Sequence, residues 1–128
     1  MNQYICIGGC TASGKSSFAL ELSKYVENPV IINTDALQIY ECWEILTDRP
    51  SVKKPEHALY GHVSCSKNYS VGEWVKDVKE IFDLNSEKSK TFIFVGGTGL
   101  YFNALLNGFS QIPQVPKDIR EFADSCDL

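Results

Sequence analysis

The sequence predicts an α/β fold of three layers, in which a parallel sheet lies between helices. Three short segments are apolar almost throughout, at Gln3–Gly8, Val30–Asn33 and Thr91–Val95, and helical patterns separate them. A strand that is apolar on both faces must be covered on both, which is typical of parallel sheets in alternating structures. The 128 residues, 44% of them apolar, suffice for a single domain spanning residues 1–128.

The first half predicts a strand, a glycine-rich turn, a helix and a second strand. The helix is expected over Gly14–Glu27, because an apolar face recurs at helical spacing and Asn28-Pro29 then ends it. That face consists of Phe18, Leu22, Tyr25 and Val26. Asp35 follows the second strand directly. Residues 41–69 are predicted to be mostly loop, with a short strand at Gly61–Ser64.

A second helix is predicted to open at Ser70, because Ser70 and Glu73 form the S-x-x-E capping box. Its apolar stripe comprises Val71, Trp74, Val75, Val78, Ile81 and Phe82.

After the third strand, the glycine turn Gly96–Gly99 leads into a helix that Gly108 terminates. The residues expected to face inward on this helix are Leu100, Phe102, Leu105 and Leu106. Lys117–Cys126 predicts one more helix.

Composition restricts the classes of function. The net charge of −4 gives no support for nucleic-acid binding by this segment alone, although another segment could supply positive charge. The five cysteines form no C-x-x-C pair and are odd in number, which favours free, reduced thiols over disulfides or a zinc site. No signal sequence or membrane-spanning run is recognisable, so we expect a cytoplasmic protein without membrane contact.

A phosphate-binding P-loop is the most specific motif in the chain. The residues that fit G-x-x-x-x-G-K-[ST] are Gly9, Cys10, Thr11, Ala12, Ser13, Gly14, Lys15 and Ser16. The loop amides and the following helix N-terminus can hold phosphate oxygens, Lys15 adds positive charge, and the Ser16 hydroxyl is placed to ligate magnesium. The motif indicates a polyphosphate without saying which, and most such loops hold ATP or GTP.

Two further segments are expected beside this loop, because the carboxyl ends of parallel strands share one edge of the sheet. Asp35 could bind magnesium through water, accept a proton or cap a helix before Ala36. Gln38 could read a nucleobase edge or be a surface residue. Thr98, in the turn Gly96–Gly99, could reach the anion or merely cap the turn. His57 and His62 have no partner at metal-ligand spacing.

The motifs together resemble one family. GCTASGKS, NTDALQIY, LYGHV with NYSVGEW, and VGGTGLYFNALLNGFSQIP occur in this order between Tyr4 and Arg120. This succession is similar to the tRNA dimethylallyltransferase (tRNA isopentenyltransferase) family, which has a P-loop NTPase-like fold. Nucleotide kinases share only the P-loop.

The resemblance implies transfer of a dimethylallyl group from dimethylallyl diphosphate to N6 of the adenosine 3′ of the tRNA anticodon, assisted by Mg²⁺. It implies that Thr11–Ser16 hold the diphosphate, with Lys15 and Thr98 as further catalytic groups, and that Asp35 is the general base. Asp35, Ala36, Leu37 and Gln38 would contact the target adenosine, and Thr98 and Arg120 would lie at the tRNA and diphosphate site. Family members are usually monomeric.

The chain departs from the family pattern at three points. Cys10 stands where proline is usual, Glu41 stands where arginine is frequent, and family members are more than twice as long. We therefore expect a truncated form that lacks the tRNA-clasping part and needs it for activity. The alternatives are a small-molecule kinase that uses ATP and a non-catalytic phosphate-binding remnant.

Overall fold

Four parallel strands form the centre of the molecule in a computed structural model, which describes residues 1–50, 54–108, 110 and 115–126. The strands are β1 (Gln3–Gly8), β2 (Pro29–Asn33), β3 (Glu56–Ala58) and β4 (Thr91–Gly96), arranged in the order β1-β4-β2-β3. All neighbouring pairs are parallel. The predicted α/β class and the three predicted apolar strands are confirmed.

The fourth strand is not where the sequence predicted it. The segment Gly61–Ser64 contributes only an isolated parallel bridge between Val63 and Tyr40, and β3 lies earlier in the chain. Leu59 and Gly61 both adopt positive φ angles, of 63° and 55°. These turn conformations break the extended chain after β3, so no strand continues through Gly61.

In the described part of the chain, four α-helices connect and flank the strands. They are α1 (Lys15–Leu22), α2 (Val71–Leu84), α3 (Gly99–Asn107) and α4 (Lys117–Ser125). The first is shorter than predicted, because a 3₁₀ turn at Ser23–Tyr25 follows it. The capping box at Ser70 and Glu73 is present, with both reciprocal hydrogen bonds formed. Within the described ranges, no helix has the length and apolar character needed to cross a membrane.

Apolar clusters cover both faces of the sheet, as the three-layer prediction requires. On one face, Val30, Ile32, Phe92 and Phe94 pack against α2 and α3 through Trp74, Val78 and Tyr101. On the other, Ile31, Ile93 and Val95 pack against Ala19 of α1. Successive strand residues point to opposite faces, which explains why all six residues of β4 are buried.

The predicted inward faces of two helices are partly wrong. On α1, Phe18 is exposed and the small residue Ala19 meets the sheet; Tyr25, beyond the helix end, is also exposed. On α3, the predicted inward residues Leu100 and Leu106 are exposed, whereas Tyr101 and Ala104 are buried. Stacking of Tyr101 on Trp74, with ring centroids 4.7 Å apart, sets the rotation of α3, and the sequence of one helix does not reveal such a contact.

The expectation of five free thiols is also wrong, because Cys42 and Cys65 form a disulfide. Their Cα atoms are 6.1 Å apart. Each lies two residues beyond a member of the parallel bridge between Tyr40 and Val63, so the same register brings the two cysteines side by side. Cys6, Cys10 and Cys126 are free.

Candidate active site

A cavity of about 260 Å³ opens at the carboxyl ends of the central strands. Register explains its position, since Gly8 pairs with Gly96 and Asn33 pairs with Val95, which brings three strand ends together. The lining residues come from four segments of the chain: Thr11, Ala12, Ser13, Gly14, Lys15, Ser16, Ser17, Asp35, Gln38, Thr47, Asp48, Val95, Gly96 and Gly97. The predicted convergence of the P-loop, Asp35 and the glycine turn is therefore observed.

The P-loop forms one wall of the cavity. Ala12 and Gly14 have positive φ angles of 58° and 82°, which curl the backbone immediately before α1. Gly14 is the N-cap of α1, and no side chain of the described residues caps this helix end. Backbone N–H groups in the first helical turn have no intrahelical acceptor, so this wall can donate hydrogen bonds to an anion.

Lys15 lies over its own loop. Its Nζ donates to the Cys10 carbonyl at 2.5 Å and approaches Ser13 Oγ at 3.4 Å. Ser13 Oγ also donates to the Cys10 carbonyl, at 2.7 Å. An anion in the cavity would compete for the ammonium, which already lies at the cavity wall. Gly9 and Cys10 shape the loop but do not line the cavity.

Asp35 faces the P-loop across the cavity. Its Oδ1 accepts the N–H of Leu37 at 2.8 Å. The residues that follow form a turn rather than a helix, so Asp35 does not cap a helix as one interpretation of the sequence suggested. The carboxylate stabilises the turn with one oxygen and lines the cavity, which is the geometry a proton acceptor or a water-mediated metal ligand would need.

Gln38 is anchored by a segment that sequence reasoning missed. Its Nε2 donates to the Thr47 carbonyl at 2.7 Å, and Thr47 and Asp48 both line the cavity. Because Nε2 donates to the loop, Oε1 is the part of the amide left to accept a hydrogen bond from a ligand. No pattern in residues 41–69 pointed to Thr47 or Asp48, since their position depends on how an irregular loop folds back.

Thr98 connects two of the strand ends. Its Oγ1 accepts the N–H of Ala36 at 2.9 Å, and its own N–H donates to the Thr34 carbonyl at 3.2 Å. Thr98 does not line the cavity, so its observed contacts hold the Asp35 turn beside β4. Ala36 and Leu37 contribute backbone N–H groups to this turn and likewise do not line the cavity.

Arg120 is the one predicted site residue that the structure does not bring near the others. It lies on α4, where every described residue from Val115 to Cys126 is exposed, and it is not among the residues that line the cavity. The two histidines have local partners outside this cavity. His57 Nδ1 lies 2.6 Å from the Pro55 carbonyl, and His62 Nε2 lies 3.2 Å from the Asp77 carboxylate.

The oxygen donors of the cavity suit Mg²⁺. Ser16, Asp35 and Asp48 line the same space, and each carries a side-chain oxygen. Among the described residues, no group of three or more His, Cys, Asp or Glu side chains forms a metal cage. Mg²⁺ usually keeps several waters and binds through one or two protein oxygens together with substrate phosphates, so this donor set fits it.

Two tyrosines outside the cavity lining have raised pKa values, to which the Asp35 charge contributes. Burial raises the pKa of Tyr60, and the negative charge of Asp35 raises it further. The pKa of Tyr101 is raised to about 12, mainly by burial and further by Tyr40, Asp35 and Glu73. Both phenols are therefore neutral at physiological pH. Among the described residues, the ionisable side chains that line the cavity belong to Lys15, Asp35 and Asp48.

Comparison with known proteins identifies the family. A family model described as IPP transferase matches residues 38–127, which is most of the chain. The chain belongs to the IPP transferase family. Among curated members of related sequence, tRNA dimethylallyltransferase from Bradyrhizobium sp. (strain ORS 278) is 46% identical over 123 residues, and the protein of that name from Bartonella tribocorum is 50% identical over 118 residues.

Solved structures agree with this membership of the IPP transferase family. The full-length tRNA isopentenylpyrophosphate transferase from Bacillus halodurans superposes with a TM-score of 0.79 at 26% identity, over 98% of this chain and 42% of its own. A eukaryotic dimethylallyltransferase acting on tRNA gives a TM-score of 0.76 at 24% identity, which supports the fold. The chain spans about 40% of the length of the curated relatives it matches.

Proposed function

We propose that this IPP transferase family chain takes part in transfer of a dimethylallyl group from dimethylallyl diphosphate to N6 of the adenosine 3′ of a tRNA anticodon. The observation that carries the proposal is the single cavity shared by the P-loop and Asp35. A diphosphate on one wall and an amine beside the opposite carboxylate would bring the two reacting centres together. The names of the curated relatives agree with this assignment.

In the proposed reaction, N6 attacks C1 of the dimethylallyl group, the C1–O bond to the diphosphate breaks, and one proton leaves N6. Asp35 accepts that proton, which raises the electron density on a nitrogen whose lone pair is delocalised into the adenine ring. Gln38 accepts a hydrogen bond from the base through Oε1, which penalises a base without an amino group at that position.

The P-loop stabilises the leaving diphosphate. Its negative charge grows as the C1–O bond breaks, and the free N–H groups at the start of α1 together with Lys15 lie where they can neutralise it. Mg²⁺ held at Ser16 would supply additional positive charge to the same oxygens. Arg120 and Thr98 are proposed to contact the tRNA. The proposed compartment is the cytoplasm.

The first test compares ligands for their thermal stabilisation of the chain. A ligand that binds only the folded state raises the melting temperature by mass action. We expect dimethylallyl diphosphate with Mg²⁺ to raise it and ATP to raise it less. Lys15→Met should abolish the shift, whereas Lys24→Met, which removes only an exposed ion pair with Glu21, should retain it. A larger shift with ATP would contradict the proposal and favour a kinase.

The second test addresses the proposed role of Asp35 as the general base. Because the chain is expected to need the tRNA-clasping part for activity, the assay uses a chimera in which this chain replaces the matching segment of a full-length relative. In an assay of prenyl transfer to an anticodon stem-loop RNA, Asp35→Asn in this chimera should lower kcat by about 10²- to 10⁴-fold while binding of dimethylallyl diphosphate persists. Full activity of this variant would exclude Asp35 as the base. If the wild-type chain by itself binds dimethylallyl diphosphate but transfers no dimethylallyl group, then these residues contribute only the phosphate site.

A further inference from the structure

Asn33, the last residue of β2, has a fully buried side chain that is bonded on every side. Its Nδ2 donates to the carbonyls of Asp35 and Leu59, at 2.9 and 3.0 Å. Its Oδ1 accepts the N–H of Asp35 at 2.9 Å. Both Nδ2 hydrogens and the oxygen are therefore engaged, which a fully buried amide requires to offset its desolvation.

The three partners also determine which way the amide points. Rotating it by half a turn would place Nδ2 against the N–H of Asp35 and Oδ1 against two carbonyl oxygens. Every hydrogen bond would be lost and replaced by a repulsive contact, so the side chain has one orientation. Asn33 thus binds both the N–H and the C=O of a single residue, Asp35.

That residue needs such support, because the chain leaves the sheet directly before it. Pairing of β2 with β4 ends at Asn33, and Thr34 donates its N–H to Val95. The backbone groups of Asp35 would then have no strand partner. The Asn33 amide supplies both bonds, and its contact with the Leu59 carbonyl ties the same point to the turn after β3.

A hydrogen bond from α2 in turn holds Asn33. Its backbone carbonyl accepts Trp74 Nε1 at 2.9 Å, and Trp74 is fully buried against Tyr101. The position of Asp35 is therefore tied to the contact between β2 and α2, in addition to the Thr98 contacts that hold its turn beside β4.

We propose that Asn33 is a positioning residue, whose side-chain amide sets the direction in which the Asp35 carboxylate enters the cavity. Its catalytic consequence rests on the function proposed above, but its geometric consequence does not. Misplacement of a reacting group by about 1 Å can cost about 10²-fold in rate, so a residue that only holds Asp35 would still strongly affect transfer.

The geometry provides a reporter that needs no catalysis. Leu37 N–H donates to Asp35 Oδ1 at 2.8 Å, so at a fixed neutral pH the Leu37 amide should be protected from hydrogen exchange as long as the carboxylate keeps its direction. We expect this protection in the wild-type chain, lost in Asn33→Ala and reduced in Asn33→Ser. A serine hydroxyl can still accept the Asp35 N–H but does not reach Leu59.

Thr34→Val is the matched control. Thr34 is as buried as Asn33 and adjacent to it, yet within the described part of the chain its Oγ1 hydrogen-bonds only the Ile32 carbonyl, at 3.4 Å. This variant should keep the protection of the Leu37 amide. Unchanged protection in Asn33→Ala, or its equal loss in Thr34→Val, would overturn the proposal.

The wild-type chain alone gives a further test if Asn33→Ala does not fold. The Asp35 amide should be protected from hydrogen exchange although it lies outside the sheet, because Asn33 Oδ1 accepts it. Rapid exchange of that amide in the folded chain would contradict the proposal. If the Leu37 signature behaves as expected but Asp35→Asn leaves transfer intact, Asn33 positions Asp35 and the proposed catalytic role of Asp35 is wrong.

Discussion

The site depends on how closely the chain after β2 approaches β4. Gly96 marks this approach: a Cβ placed there would lie 2.1 Å from the Thr34 carbonyl oxygen and 2.8 Å from the Asp35 nitrogen. Both neighbours are backbone atoms, which cannot rotate away. Gly96 is therefore required by contact with the Asp35 segment, and its backbone lines the same cavity.

Gly96→Ala should consequently destabilise the chain. Overpacking of this kind costs about 1–3 kcal/mol, and we expect the upper end because the obstacle is main chain. Chemical denaturation measures the change. Gly99→Ala is the control, since its Cβ would meet no atom of the described residues within 4 Å and alanine favours the helix that begins there. Equal stability of Gly96→Ala and the wild type would show that the two segments are farther apart.

At the scale of single elements, α2 starts where its capping box dictates. Ser70 Oγ accepts the Glu73 N–H at 3.2 Å, and the Glu73 carboxylate accepts the Ser70 N–H at 2.8 Å. These bonds satisfy backbone donors that the helix cannot satisfy itself. The start of α2 also determines the position of Trp74, on which Asn33 relies.

Ser70→Ala should lower the free energy of unfolding by about 1 kcal/mol, the usual cost of losing an N-cap. A urea titration can resolve a change of this size. The exposed Ser86, just beyond the end of α2, supplies the comparison: Ser86→Ala should stay within about 0.5 kcal/mol of the wild type. Similar effects at both positions would argue against the capping box.

The loop that carries Thr47 and Asp48 is tied down by the disulfide. Cys42 and Cys65 are 23 residues apart in sequence, and Gln38 contacts the loop between them. The crosslink restricts the unfolded chain and thereby stabilises the folded one.

Reduction should therefore lower stability by roughly 3 kcal/mol in the chain-entropy description of a loop this long. Thermal melting with and without dithiothreitol provides the measurement. Cys42→Ser should melt at the same temperature in both conditions, near that of the reduced wild type. Insensitivity of the wild type to reductant would mean that these two thiols are not joined.

Over the whole molecule, three tyrosines outside the sheet are held neutral. Burial is the leading cause of the raised pKa of Tyr60, Tyr69 and Tyr101, and hydrogen bonding to Asp77 adds to it for Tyr69. In the unfolded chain a tyrosine has its ordinary pKa of 10.0. The folded state therefore keeps protons that the unfolded state releases at alkaline pH.

Stability should accordingly be fully present below pH 10 and decrease as the pH rises through about 12, the pKa of Tyr101. Tyr101→Phe keeps the stacking on Trp74 but removes the ionisable group, so it should make this decrease shallower. Denaturation curves at a series of pH values test the expectation. An equally steep decrease in Tyr101→Phe would assign the effect to other groups.

The sequence by itself determined the fold class, three of the four strands and the P-loop. These features are local: an apolar run, a capping box or a glycine-lysine motif carries its meaning within a few residues. The alternation of strands and helices then determined that the P-loop, Asp35 and the glycine turn would meet at one edge of the sheet.

Only the tertiary structure decided which side chains complete the site. The contribution of Thr47 and Asp48, the disulfide, the rotation of α3 and the role of Asn33 all depend on contacts between segments distant in the chain. Asn33 reads in sequence as the polar end of a strand; its importance follows from Leu59 and Trp74, which lie 26 and 41 residues away along the chain. A buried amide acquires its function from the groups that surround it, and only folding brings those groups together.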